Sequence, residues 1–533
     1  MTTVKLPKFR PTPVESIPDT VSKLRDSFNS QKTKPVQFRL IQLRKLYWGL
    51  KDHEDEFIEA CKRDLGKSSF ETYLSEIFWC QNDILFMCDN LEKWVREEKA
   101  PDIPLTNALL RPTIRKDPLG CVLVIGAYNF PCQLSLGPMI GAIAAGCTVV
   151  LKPSEHAPNA AAVMEKVVRE SLDNSCYTIV QGAIPESQAL LKEKWDKIFF
   201  TGNPKTGVII SQTAASTLTP VTLELGGLNP AIVTKNADAR LTAHRLLWGK
   251  VHNAGQVCVS QNYTLVDKEI LPALVTELKT AFAEFFPDGA YASPDYGRIN
   301  SDREFTRLKS MLDSTGGKIL IGGTMNEPER FIEPTVIQCS SPEDSLITQE
   351  SFGPFLPLLP VANLDEAIRV ANSVHSSPLA VYPFGTKSET TRVLNEFLSG
   401  GATINDTWFH ASIPTLRFGG VGTSGQGAYR GRESFETFTH RRSVVTTPNW
   451  MESLIAVRYP PYTSRKLKQL ARMQNTKPNF DREGRVKSSL VWYLLTKGLW
   501  RALVLLLGAY ILLKTTTALF FHSFFSADGE NEL

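Results

Sequence analysis

The middle of the chain predicts an α/β protein with a parallel, doubly wound sheet, and three observations carry that expectation. Short β-branched runs, "GCVLVIGAYNFP" (Gly120–Pro131) and "GCTVVLKPSE" (Gly146–Glu155), end in glycine, proline or polar loops, as strands do. Between and after them, "LSLGPMIGAIAA" and "PNAAAVMEKVVRESL" have helical texture. A further strand, loop and helix follow in "KIFFTGNPKTGVIISQTAAS". Strands alternating with helices build a sheet whose ligands bind beyond the carboxyl ends of the strands.

In chain order, Lys23 to about Glu98 reads as helical, with interspersed charges and few glycines or prolines. The loop "TGNPKTG" puts four residues between Gly202 and Gly207 and opens a helix, whose first amides suit a pyrophosphate. Its spacing is not G-x-G-x-x-G, so the standard dinucleotide fingerprint is not met. "VTLELGG" ends a strand in two glycines, and a second α/β region begins after Gly227, through "PAIVTKN", "FIEPTVI" and "GPFLPLLPV". A cleft between the two regions is expected near Glu224–Leu228.

At 533 residues the chain has room for two or more domains. Its nine cysteines are scattered singly with no C-x-x-C, which fits reduced thiols better than a disulfide framework. The eight histidines show no metal-ligand spacing, so no metal is expected. The N-terminus has no apolar core and is no secretory signal. Between Arg458 and Lys487 stand nine Lys/Arg and two Asp/Glu, a local +7 against a whole-chain +4. The rest carries −3, so no affinity for nucleic acid is expected and the basic stretch needs a local explanation.

"ALVLLLGAYILLKTTTALFF" (Ala502–Phe521) supplies one, being about the 20 residues that cross a bilayer as a helix. Its eleven Leu, Ile, Val and Phe are worth roughly −3 to −7 kcal/mol on insertion scales, against about +2.5 to +3.5 for Lys514 near the middle. The other reading, an apolar helix buried in a core or dimer interface, is opposed by its place at the chain end. Lys497, Arg501 and the basic stretch precede it, which leaves the body of the protein in the cytosol. Val491, Trp492, Leu494, Leu495 and Leu499 form one apolar face just upstream, an amphipathic lead-in at the membrane interface or over the mouth of a site. The expected ordering is a basic juxtamembrane segment (458–500) followed by a spanning tail anchor (501–522). Endoplasmic reticulum, outer mitochondrial membrane and lipid droplet are all open as addresses.

Three polar residues could converge on the cleft. Glu224 ends an apolar strand, where burial raises a carboxyl toward a useful base. Cys258 follows the polar turn Asn253–Gln256, which can present a thiol. Asn129, in "AYNFP", carries an amide donor suited to a developing oxyanion. Taken singly, a lone cysteine is most often a buried apolar side chain, a loop glutamate is solvated, and such an asparagine is a turn residue.

Taken in order, "YNFP", "KPSE", "FFTGN", "VTLELGG", "NAGQVC", "ESFGP" and "FGGVGTSG" resemble the NAD(P)-dependent aldehyde dehydrogenase superfamily, over roughly residues 20 to 460. "TINDTWFH", "GRESFETFTH" and "RYPPY" (Arg458–Tyr462) are similar to its class 3 branch, and the anchor is similar to that of fungal membrane-bound fatty aldehyde dehydrogenases. The resemblance implies a Rossmann-like NAD-binding domain (1–228, with an arm near 105–120). It further implies a catalytic domain (229–420), a C-terminal oligomerisation segment (421–457) and a homodimer.

By that resemblance Cys258 is the nucleophile, Glu224 the general base and Asn129 the oxyanion donor, together with the Cys258 backbone N–H. Lys152 and Glu155 match residues beside the adenosine ribose, where a carboxylate favours NAD, with NADP as the alternative. Gly202, Asn203 and Gly207 match the pyrophosphate loop. Leu225, Gly226, Glu350 and Phe352 match the nicotinamide half. Leu228 stands where relatives commonly carry Lys, and Tyr128 where they carry Trp. "SQNY" stands where relatives often carry Pro-Asp. The positive nicotinamide and nearby N–H donors are expected to increase the thiolate fraction of Cys258.

The implied reaction is oxidation of long-chain aliphatic aldehydes to free acids, because Glu224 favours hydrolysis of a thioester over its transfer. Aromatic aldehydes such as 4-hydroxybenzaldehyde are the alternative substrates. A non-catalytic membrane-tethered binding module is the alternative of another class.

Overall fold

The structure, a computed structural model, describes residues 4–474, 478–486 and 503. Met1–Val445 form one compact unit and Thr446–Leu533 a second.

The first sheet of the larger unit contains five parallel strands: Cys121–Ile125, Thr148–Lys152, Tyr177–Ile179, Lys197–Gly202 and Val221–Leu225. In space, Lys197–Gly202 lies on one side of Cys121–Ile125 and Thr148–Lys152 on the other. The strand order therefore reverses beside Cys121–Ile125, and the loops leaving the carboxyl ends there diverge to open a crevice. Gly425–Gln426 closes the edge antiparallel to Val221–Leu225. The central strands are apolar at successive positions because helices cover both faces of the sheet. Gln133–Ala145, apolar on nearly every side, is buried along its whole length.

The second sheet has seven strands in the order Lys318–Ile321, Thr335–Gln338, Phe355–Val361, Tyr263–Asp267, Pro230–Val233, Ala380–Phe384 and Gly401–Ala402. Only Lys318–Ile321 runs antiparallel to its neighbour. The chain leaves the first sheet at Leu225 and enters the second at Pro230. Gly226 and Gly227 make the crossing where the space for a side chain is tight, a Cβ on Gly227 meeting the Leu379 backbone nitrogen at 3.1 Å. A Cβ on Gly226 would lie 2.5 Å from a Glu350 carboxylate oxygen.

The helical start divides into Ile17–Asn29, Val36–Asp52, Glu54–Leu65 and a long run from Ser69 to Trp94. Gly66, at φ +65°, separates the last two. The long run winds as a π-helix between Tyr73 and Ile77. Thr113–Pro118 pairs antiparallel with Glu98–Lys99 on one side and Thr439–Val444 on the other, making a small separate sheet.

The second unit includes the helix Ser464–Gln474. The expected amphipathic lead-in and spanning segment lie outside the described residues, apart from Leu503. Among the described residues no helix is long and apolar enough to cross a membrane.

Candidate active site

The helix Ala239–Val251 stops at a turn in which Asn253, Ala254 and Gly255 all have positive φ, at 50°, 51° and 74°. Left-handed backbone costs a non-glycine residue about 1–2 kcal/mol, so the turn persists only where its surroundings over-determine it. They do. The Asn253 N–H donates to Glu71 at 3.1 Å, and Asn253 Nδ2 donates to the carbonyls of Asn129 at 2.8 Å and Gln256 at 3.0 Å. Gln256 Nε2 donates to the Asn253 and Arg298 carbonyls, both at 3.0 Å. A Cβ on Gly255 would fall 2.1 Å from the Gly353 carbonyl oxygen. The polar residues of "NAGQ" are thus spent on the turn itself, and Cys258 emerges from it half-buried.

Cys258 stands in the wall of a narrow pocket of about 50 Å³ with Trp79, Phe130, Leu134, Trp408 and Phe418. Its lining is predominantly apolar and aromatic, with a few polar groups among it, as in pockets that take small apolar molecules. Arg430, at the edge, is ion-paired with Asp83 and lies 4.2 Å over the Trp79 ring.

Burial pushes the Cys258 thiol up to about 12, and the carboxyls of Glu350 and Glu224 push the same way. Only the backbone N–H groups of Val259 and Cys258 oppose them. The N–H donors do favour the thiolate as expected, but in the protein alone burial and the two carboxyls outweigh them. Glu224 is 3 % exposed, and among the described residues neither of its oxygens has a hydrogen-bond partner. Burial raises it well above the ordinary carboxylate range, with Arg417 alone pulling back. Burial therefore disfavours the charged form of both groups.

Asn129 meets the turn from the loop after Cys121–Ile125. Its Nδ2 donates to the Gln256 carbonyl at 3.0 Å, which leaves one amide hydrogen for another acceptor. Its own carbonyl accepts from Lys67 Nζ at 2.8 Å as well as from Asn253. Asn129 and the Cys258 turn are thereby locked together across more than 120 residues of sequence.

The residues matched to a dinucleotide gather at the carboxyl ends of the first sheet, beside the reversal of strand order. Lys152 Nζ pairs with Glu155 at 2.7 Å. Burial works against ionisation of Glu155, but Lys152 outweighs it and holds the carboxyl below its usual value. Gly202 ends a strand, and the Asn203 side chain caps the next helix by accepting from the Thr206 N–H at 2.9 Å. With Pro204 lacking an N–H, the Thr206 N–H on the Asn203 side chain and the Gly207 N–H on the Asn203 carbonyl, the Lys205 N–H is the first helix amide left to face a phosphate. A Cβ on Gly207 would press on Leu225 at 2.7 Å. Glu350 reaches the Gly227 N–H at 3.4 Å, and burial pushes it to about 7. Lys250 is 2 % exposed and pushed down to about 7 by burial, with Glu350 as the opposing charge. Phe352, at φ +50°, sets its ring edge-on to Tyr128, 6.1 Å between centroids.

Sequence reading missed Lys67, Glu71, Glu76 and Lys250. Charged residues in helical stretches carry no spacing signal, and only the fold makes these four interior. No group of His, Cys, Asp and Glu among the described residues could hold a metal ion.

A half-buried thiol in the wall of an apolar pocket, a buried carboxyl acting on it and an amide donor tied to its turn, on a doubly wound sheet, define a class of enzyme that oxidises carbonyl substrates. The chain belongs to the aldehyde dehydrogenase family, whose model matches residues 4–444. It is 50% identical over 519 residues to a Neurospora crassa protein named beta-apo-4'-carotenal oxygenase, covering 95% of this chain and 97% of that one. It is 40% identical over 458 residues to human aldehyde dehydrogenase family 3 member B1, covering 86% of this chain and 97% of the relative. A substrate-bound structure of Staphylococcus aureus AldH superimposes with a TM-score of 0.83 at 39% identity, covering 86% of this chain and 99% of its own. The protein is an aldehyde dehydrogenase of class 3 type, and its family uses NAD(P).

Proposed function

We propose that this enzyme oxidises long-chain, apolar aldehydes to free carboxylic acids at a membrane surface. The observation that carries this reading is the pocket at Cys258, lined largely by big apolar side chains, with Glu224 buried close enough to act on the thiol. Cys258 attacks the aldehyde carbon, and the thiohemiacetal oxyanion is held by Asn129 Nδ2 and the Cys258 backbone N–H. Bound NAD(P) supplies the acceptor for the hydride that leaves this adduct. Glu224 then takes a proton from water, which hydrolyses the resulting thioester and frees Cys258. Lys152 and Glu155 would hold the adenosine ribose, the amides after Gly202 the pyrophosphate, and Glu350 and Phe352 the nicotinamide side. Each buried methylene contributes about 0.8 kcal/mol, so a long chain gains both from the cavity and from a membrane that concentrates it. The C-terminal run Ala502–Phe521 is the proposed anchor.

A second reading shares the mechanism and extends the chain. The Neurospora relative is named for an apocarotenal, a long conjugated aldehyde, and its similarity covers nearly the whole of both chains. Steady-state kinetics on detergent-solubilised enzyme with acetaldehyde, hexadecanal, an apocarotenal and 4-hydroxybenzaldehyde separate the readings. Hexadecanal is expected to exceed acetaldehyde in kcat/KM by at least 100-fold. Equal efficiency across chain lengths defeats the long-chain assignment, and a clear preference for the polyene selects the second reading.

A further inference from the structure

We propose that Lys67 is a positioning residue of the oxyanion hole, acting through the main-chain carbonyl of Asn129 with Glu76 as its fixed counter-ion. The proposal rests on the reading of Asn129 given above.

Lys67 and Glu76 form an ion pair at 2.6 Å, and both side chains are completely buried. Two charges taken out of water cost more than their attraction returns unless further hydrogen bonds complete them. Here those bonds all fall on one loop. Lys67 Nζ donates to the Asn129 carbonyl at 2.8 Å, and Glu76 Oε2 accepts from the Cys132 and Gln133 N–H groups, each at 3.0 Å. The ammonium also lies 4.1 Å from the centre of the Phe130 ring, so four of the five residues from Asn129 to Gln133 touch the pair. The opposite end of Asn129 is tied by its carboxamide to the Gln256 carbonyl. Pinned at carbonyl and carboxamide, the side chain keeps one orientation toward the Cys258 turn.

A second, independent feature points the same way. Glu76 lies in the π-helical turn Tyr73–Ile77, a winding that recurs at functional sites. The extra residue lets Ser75 and Trp79 line the cavity while Glu76 faces the interior. One short element therefore builds a wall of the substrate cavity and holds the oxyanion donor in register with it.

The test uses full-length enzyme with NAD and octanal, reading kcat, the KM for NAD and the melting temperature. Lys67→Met leaves Glu76 as an unpaired buried charge and lowers both kcat and stability. The neutral double variant Lys67→Met/Glu76→Gln removes that charge. It is expected to recover most of the lost melting temperature while kcat stays about 10- to 100-fold below wild type and the KM for NAD stays within about twofold. In an Asn129→Ala background, Lys67→Met is expected to lower kcat by less than about twofold more, because both act through the same donor. Recovery of kcat together with melting temperature in the double variant overturns the proposal, as does a full further loss in the Asn129→Ala background. Wild-type kcat in Asn129→Ala itself would instead bring down the reading of Asn129 on which the proposal stands.

Discussion

Burial disfavours the charged forms of both Cys258 and Glu224. Among the described residues no hydrogen-bond partner reaches either carboxylate oxygen of Glu224, so nothing there offsets the loss of water by donating to it. A thiol raised to about 12 stays protonated at neutral pH, and its thiolate fraction grows about tenfold per pH unit until that value. Iodoacetamide alkylation of Cys258 in cofactor-free enzyme, followed by peptide mass spectrometry, is therefore expected to accelerate steadily from pH 7 past pH 10. A plateau near pH 8.5, the value of a free thiol, would show that the carboxyls and burial do not act as described. Glu350 and Lys250, both near 7, titrate in the same window but face each other, so the alkylation rate should have a small inflection there rather than a step.

The turn Asn253–Gln256 is the element on which the site depends most directly. Three successive left-handed residues are held by Glu71, Asn129, Arg298 and Asn300, which come from distant parts of the chain. Gly255→Ala places a methyl group 2.1 Å from the Gly353 carbonyl at a φ that alanine resists. It is expected to cost about 2–4 kcal/mol of stability, read from the denaturant midpoint, and to abolish turnover. Such turns are half legible in a sequence. The glycine announces a turn and the cysteine after it a candidate nucleophile. That Asn253 and Gln256 serve the turn rather than the substrate depends on carbonyls supplied by other segments.

Across the larger unit, the first sheet carries the residues proposed to hold the cofactor, the Cys258 turn leads into the second, and the glycines at 226 and 227 lie where the chain crosses between them. The segments after Val445 form a separate unit and carry the proposed anchor. A chain ending at Val445 keeps Thr439–Val444 in its small sheet, together with every residue assigned to the site. It is expected to oxidise a water-soluble aldehyde with a kcat within about threefold of the full chain, yet to stay in the supernatant when membranes are pelleted. Co-sedimentation of this shortened protein would place the membrane contact within the first 445 residues.

Local pattern was enough for the alternation of strands and helices, the strand-ending glycines, the apolar tail segment and the order of the motifs around Glu224 and Cys258, since each is written in neighbouring side chains. Charge and burial were not. Lys67, Glu76 and Lys250 look like solvated helix residues until distant segments close over them, and the acidity of Cys258 depends on carboxyls contributed by Val221–Leu225 and by Glu350, some 90 residues further on. Electrostatic environment is a sum over neighbours in space, and chain order does not list those neighbours.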